Sequence, residues 1–296
     1  MTGVAILTLR ELTAKKIVLG LFVVATLIWG TLALALQIDV VDGTIEGLRL
    51  FGQSPEVEVR EDGQVREESL DEQLREEEGP FAGEDPLRVI VFVAESAVAG
   101  AAYWVGILLA LFATGGLVTS MMERGQVDLL LSKPLSRAEI LGGRLLGVGI
   151  VTSILAVYLM GMVWLVMSLK TGVWNPRFLL AIGVVFAMFA VLYSIVTLVS
   201  VWSNSTPVAL IATLGILFVS LVVAIPPLPE KLHEPWRQGV EVLHAALPRF
   251  ADVGGRIVPR LARGAPVDGW SHLWASLGFG AVVYAASFFV FRRKDF

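Results

Sequence analysis

The sequence predicts an all-α polytopic membrane protein with six transmembrane helices. Three observations carry that prediction. Of the 296 residues, 55% are hydrophobic and mean hydropathy is +0.74, too apolar for an ordinary soluble domain. Six apolar stretches fall at 17–36, 98–119, 145–169, 179–202, 207–225 and 271–291, each near the roughly 20 residues that a helix needs to cross the hydrocarbon layer. Lys and Arg adjoin alternate ends of these stretches, the pattern by which a multi-span chain sets its orientation.

The elements follow in order. Thr8-Leu9-Arg10-Glu11-Leu12-Thr13-Ala14-Lys15-Lys16 mixes apolar and charged positions, so 1–16 is expected to form an amphipathic helix lying at the membrane interface. The apolar run that follows, with Ala33-Leu34-Ala35 near its end, imitates a signal peptide. Its length exceeds a usual signal core and favours an uncleaved anchor. Residues 37–88 hold sixteen Asp/Glu against five Arg, whereas the rest of the chain holds eleven acids against eighteen bases. This acidic stretch is expected as a solvated external loop. It offers at most a short hairpin in E-V-E-V-R-E-D-G-Q-V-R-E-E and a polar helix in E-E-S-L-D-E-Q-L-R-E-E-E.

Asp85-Pro86 marks a helix start, with an acidic cap and proline at the first helical position. The helical pattern runs on to Met122, about 55 Å at 1.5 Å per residue, so this second helix is expected to project beyond the bilayer. Glu95 is the one ionisable residue near a span interior and is expected at the interface. Otherwise the spans carry hydroxyls and small residues, with no Asp, Lys, Arg or His near a midplane, which argues against an ion-coupled transporter. Gly115-Gly116 and the Gly143 to Gly147 stretch permit close helix contact. Trp174, Trp270 and Trp274 fit interfacial anchors. Pro226-Pro227-Leu228-Pro229 ends the fifth span, and bases alternating with Leu, Val and Trp through 235–263 are expected as two short helices flat on the outer surface.

Bases mark one side of the membrane: Arg10, Lys15 and Lys16, then Arg124, Lys133, Arg137 and Arg144, then Arg292, Arg293 and Lys294. The positive-inside rule makes that side cytoplasmic, puts both termini there, and expects the chain in the inner (cytoplasmic) membrane. Within it, Glu123 to Arg144 reads E-R-G-Q-V-D-L-L-L-S-K-P-L-S-R-A-E-I-L-G-G-R. Lys133-Pro134 breaks a helix, and Ser136 to Glu139 has the spacing of a capping box. A helix-break-helix unit results, with leucines interleaved among charges. On physical grounds alone an ordinary charged cytoplasmic loop with a turn reads equally well.

Here the residues carry a resemblance. Glu123, Gly125, Leu129-Leu130, Pro134, Ser136-Arg137, Ile140 and Gly143-Arg144 resemble the E-x-G-T-L-E-x-L-L-x-x-P-x-S-R-x-x-I-x-x-x-K/R signature of type-2 ATP-binding-cassette (ABC) permeases. Gln126, Val127 and Asp128 stand where threonine, leucine and glutamate are usual, and Arg144 where lysine is common. The large first external loop, six spans and the F-R-R-K-D-F tail are similar in organisation. The resemblance implies a permease subunit, exporting in direction, whose cytoplasmic coupling segment over 120–144 docks on a separate cytosolic ABC ATPase. It also implies a second permease chain, giving a homo- or heterodimer with two ATPases. The implied ATPase-coupling residues are Glu123, Arg124, Gly125, Asp128, Lys133, Pro134, Ser136, Arg137 and Glu139.

The chain carries no G-x-x-x-x-G-K-[ST] phosphate loop. ATP and Mg are therefore expected through the partner, with no cofactor bound directly and no enzyme activity in this chain alone. Zero cysteines exclude disulfides and thiolate chemistry. His233, His244 and His272 lack metal-ligand spacing, and no paired carboxylates or Ser/His constellation supports an intramembrane enzyme. Nothing points to nucleic acid. The alternative is a non-transporting membrane scaffold or assembly factor that recruits an external partner through the acidic loop.

Overall fold

The computed structural model describes residues 7–8, 11, 16–41, 44–50, 86–122, 136–225 and 236–294. Helix α1 spans Lys16–Ala35 and leads into a two-stranded antiparallel hairpin, β1 (Leu36–Val41) and β2 (Thr44–Leu50). The hairpin pairs Leu36 with Leu50 and Val41 with Thr44, with a register irregularity at Asp39/Val40. It departs from the all-α expectation and stands earlier than the hairpin suggested for 56–68. That stretch, the polar helix proposed after it and most of the acidic 37–88 loop lie outside the described residues. So does most of 1–16.

Helix α2 runs over 86–120, with a π-helical turn at Ala102–Gly106 and an interruption at Gly115. Pro86 is its first residue, as expected. Helix α3 covers 137–171 with a π-helical turn at Val157–Gly161, and ends at Gly172 in the left-handed region, φ 72°. Asn175-Pro176 then opens α4 (Pro176–Ser203), which closes on Asn204 at φ 55°. Helix α5 (Thr206–Val223) has Pro207 in its first turn. Helices α6 (Trp236–Ala246) and α7 (250–262) precede α8 (Trp270–Arg293).

Five helical stretches are long and apolar enough to cross a membrane: Arg88–Ser120, Arg137–Thr171, Pro176–Ser203, Thr206–Val223 and Trp270–Arg293. The apolar stretch of α1, Val18–Leu34, is shorter. The chain is a polytopic membrane protein. Helix α4 is its axis, with 61% of its apolar stretch enclosed by protein against 22–44% for the other four. Around it pack α2, α3, α5 and α8, and α1 lies against α3. Tyr158, in the π-helical turn of α3, holds α1 through a 2.8 Å hydrogen bond with Thr26 and ring contacts with Phe22 and Trp29. Gly115 allows the expected close approach: a Cβ there would meet the Leu210 side chain at 2.9 Å.

Helix α7 corrects the expectation of two helices flat on the outer surface. Phe250, Val253, Ile257, Val258, Leu261 and Ala262 are all buried, so α7 enters the bundle and packs on α2 and α4. Tyr103 of α2 donates a 2.6 Å hydrogen bond to the Phe250 carbonyl and stacks obliquely on its ring, 4.4 Å between centroids. Gly254 sits against the same aromatic pair, where a Cβ would press on Tyr103 and lie 2.8 Å from Trp104 Cζ2. Neighbouring Gly255 has nothing within 4 Å of a built Cβ. Gly254→Ala is therefore expected to lower stability by about 1–3 kcal/mol through overpacking. Gly255→Ala is expected to leave it unchanged or slightly raised. Thermal unfolding of the two detergent-solubilised variants side by side checks this.

Candidate functional site

The bundle has a basic end, where α2 finishes, α3 begins and α8 finishes. Residues 123–135 leave α2 and return into α3 at this end. Glu123, Arg124, Gly125, Asp128, Lys133 and Pro134 lie outside the described residues, whereas Ser136, Arg137 and Glu139 are described. The expected capping box is present. Glu139 N–H donates to Ser136 Oγ at 3.2 Å, and Ser136 N–H donates to Glu139 Oε2 at 2.8 Å. Two orphan amides at the start of α3 are thereby satisfied.

Arg137 fixes this start to the other side of the bundle. Its Nη1 donates to the carbonyls of Arg292 (3.3 Å) and Lys294. Lys294 in turn donates through Nζ to Val201 O and Asn204 Oδ1 at the end of α4 and lies 3.9 Å from Met122 Sδ. Burial pushes the Lys294 ammonium below its ordinary pKa. Where α2 ends, Thr119 and Thr206 join their hydroxyls, and the Met122 N–H donates to Thr119 O at 3.0 Å.

The strongest member of the constellation is Arg144. The sequence places it at the boundary of a span, but α3 begins eight residues before the expected 145, so Arg144 lies within the helix and is 4% exposed. Its Nε donates to Leu117 O at 3.1 Å, Nη2 to Ser120 Oγ at 3.0 Å, and Nη1 to Thr8 Oγ1 at 3.4 Å and to the Glu11 carboxylate. One side chain thus ties α3, the last turn of α2 and the N-terminal segment together. Thr8 and Glu11 were absent from the coupling residues read from the sequence, as was Lys294. The signal for them was an arginine flanked by Gly143 and Leu145-Leu146 at the head of an apolar run, since such a charge needs buried partners.

At the far end, Glu95 is fully buried within the protein, beside the α3–α4 connection. Asn175 Nδ2 donates to Glu95 Oε2 at 2.7 Å and to Ala262 O at 2.8 Å, while Trp164 Nε1 donates to Asn175 O at 2.9 Å. Glu95 Oε1 has no hydrogen-bond partner among the described residues. This cluster joins α2, the α3–α4 connection and α7. Between the two ends, α3, α4 and α8 border an open groove of about 740 Å³, wide where Gly142 and Gly149 carry no side chain. The Tyr193 and Tyr284 hydroxyls beside it are turned to the carbonyls of Thr114 and Ala190, which leaves the groove apolar. No group of three or more His, Cys, Asp or Glu able to hold a metal occurs among the described residues.

Residues 54–296 match the family model described as ABC-2 family transporter protein. The chain belongs to the ABC-2 transporter family. No curated protein matches it significantly. The ABC-2 match takes in all five spans, the 123–135 segment and the residues that anchor both of its ends. It makes the chain a membrane permease component of an ABC transporter, a family that normally works with an ABC ATPase in a lipid bilayer. Helix α1, Thr8 and Glu11 lie before the matched residues, so the contact of Arg144 with Glu11 joins the ABC-2 region to what precedes it.

Removing one partner of a buried ion pair leaves an uncompensated charge, at a cost of about 3–5 kcal/mol. Glu11→Gln is expected to destabilise towards the lower end of that range, because Arg144 keeps its other acceptors. Arg144→Gln removes the charge and two bonds to α2, and is expected to free the N-terminal segment. Limited proteolysis near residues 8–16, read together with thermal unfolding in detergent, separates the two outcomes. Ser136→Ala is expected to cost about 0.5–2 kcal/mol.

Proposed function

We propose that this chain is the permease subunit of an ATP-driven exporter, in which 123–135 receives the motion of a cytosolic ATPase and passes it into the bundle. The observation that carries the reading is the anchoring of both ends of that segment. The exit is tied through Thr119 to α5 and through Met122 to Lys294 after α8. The return is tied through Arg137 to the end of α8 and through Arg144 to the N-terminal segment, and Arg144 joins exit to return at Leu117 and Ser120. A loop that only connected two spans would have no need of such attachments. The positive-inside rule makes the basic end cytoplasmic, which puts the segment where an ATPase meets it. Both termini and the six-span count, with α1 as the first span, follow from that orientation.

In this reading Glu123, Arg124, Gly125, Asp128, Lys133 and Pro134 present the docking surface. Ser136, Arg137 and Glu139 hold its return, and Arg144 links it to the N-terminal helix as a lever. ATP and Mg are bound by the partner, and two permease chains with two ATPases form the working unit. The apolar groove favours a hydrophobic or amphipathic cargo.

Purification of the tagged chain from its native host in mild detergent tests the assignment. A stoichiometric soluble protein carrying a phosphate loop is expected to accompany it. Glu123→Ala is expected to reduce its recovery about tenfold or more, on the scale of one charge-assisted contact of about 1.5–3 kcal/mol. Arg137→Ala is expected to keep the partner but to separate ATP hydrolysis from transport. Recovery of external or membrane partners only, with no ATPase, would overturn the reading in favour of a scaffold.

A further inference from the structure

A second groove, of about 350 Å³, opens between α4 and α8 at the basic end, lined by Val201, Trp202, Phe289, Val290, Arg293 and Lys294. Its composition changes along its length. Trp202 and Phe289 stand 76% and 55% exposed near the ends of α4 and α8, and the two bases follow Phe289 by about one turn of α8. The Arg293 guanidinium is held over the Phe289 ring at 4.1 Å to the centroid, so its position is set by an aromatic face rather than by a carboxylate. Lys294 bonds a carbonyl and an amide oxygen and approaches a thioether. Among the described residues, no ion pair engages Arg292, Arg293 or Lys294. Two consecutive cations, Arg293 and Lys294, thus stand at the mouth of an apolar groove, and among the described residues they face neutral groups. Burial holds the Lys294 ammonium below its ordinary pKa.

We propose that this groove binds an anionic phospholipid, with the phosphate against Arg293 and Lys294 and an acyl chain along Val201, Trp202, Phe289 and Val290. The headgroup supplies the missing anion, and the chain covers apolar surface that the protein leaves open. Basic pockets between membrane helices select anionic headgroups by this chemistry, each Lys or Arg contributing about fivefold in affinity. The occupied site touches the coupling region through Lys294, which contacts Met122, the last described residue before 123–135, and whose own carbonyl accepts from Arg137. The inference rests on the membrane location of the chain and is independent of the exporter reading.

Trp202 is the reporter. The full-length chain is placed in nanodiscs of phosphatidylcholine, with either brominated phosphatidylglycerol or brominated phosphatidylcholine added as quencher, and Trp202→Phe identifies the signal from this residue. Brominated phosphatidylglycerol is expected to quench Trp202 at several-fold lower mole fraction than brominated phosphatidylcholine. Arg293→Gln, a change at an exposed side chain that bears on no helix contact, is expected to cut that preference about fivefold while leaving quenching by phosphatidylcholine unchanged. Lys294→Gln is expected to act likewise, and Arg293→Gln decides the matter if that variant fails to fold. Equal quenching by both lipids, or an undiminished preference in Arg293→Gln, overturns the site. Displacement of the brominated lipid by glycerol 1-phosphate alone reassigns it to free phosphate esters and also overturns it. Protection of Trp202 from both lipids, as the particle becomes dimeric, gives the groove to a second copy of the chain.

Discussion

An arginine cannot shed its charge, so a guanidinium that is 4% exposed in an apolar bundle dictates what surrounds it. Arg144 meets that demand with four acceptors from two places, the last turn of α2 and the N-terminal segment. Leu117 O belongs to the last turn of α2 and accepts from both the Ser120 hydroxyl and the Arg144 guanidinium. Ser120 and Thr8 add hydroxyls, and Glu11 supplies the counter-charge. The ends of α2 and α3 on either side of 123–135 are thereby held at one separation, and the N-terminal segment is bound to both.

Much of this architecture was legible in the sequence, because hydropathy and fixed spacing are local properties. Five of the expected spans appear within a few residues of their apolar cores, and the Ser136–Glu139 capping box needs only a three-residue offset. What escaped depends on depth. The Ser136 cap marked the start of α3, but counting Arg137, Glu139 and Arg144 as outside the membrane put the third span at 145 and left Arg144 at its boundary. Helix α7 was read as a surface helix for its bases. Its Val253, Ile257, Val258 and Leu261 nevertheless repeat at helical spacing and turn inward, while Arg256 and Arg260 face out. The period was readable, but not the aromatic socket of Tyr103 and Trp104 that receives it. At the first hairpin, Asp42-Gly43 between two apolar runs was a recognisable turn signal, outweighed by the acidic composition downstream.

The far end is also tied together by a buried polar side chain, Glu95. Glu95 enters the protein because Asn175 brings an amide to it, and the same amide nitrogen also reaches Ala262 O. The Glu95 side chain thus helps to place α7 against α2 and the α3–α4 connection. The two polar clusters sit on opposite sides of an apolar middle where the helices meet through small residues and branched side chains.

Helix α2 joins the clusters. Leu117 and Ser120 are bound by Arg144 at one end, and Glu95 and Tyr103 engage Asn175 and Phe250 at the other. From Glu95 to Leu117 is about 33 Å along the helix axis. Between them lie the π-helical turn at Ala102–Gly106 and the interruption at Gly115, the places where a long helix bends at least cost. A displacement applied where 123–135 meets α2 must therefore either carry Glu95 and Tyr103 with it, and α7 with them, or be taken up as bending at those two points. Tight packing at both ends leaves no third course. Arg144 decides how much of the displacement α3 shares, since it grips α2 from a position inside α3. This is why a single buried charge, rather than the length of the helices, sets how the two ends of this permease are connected.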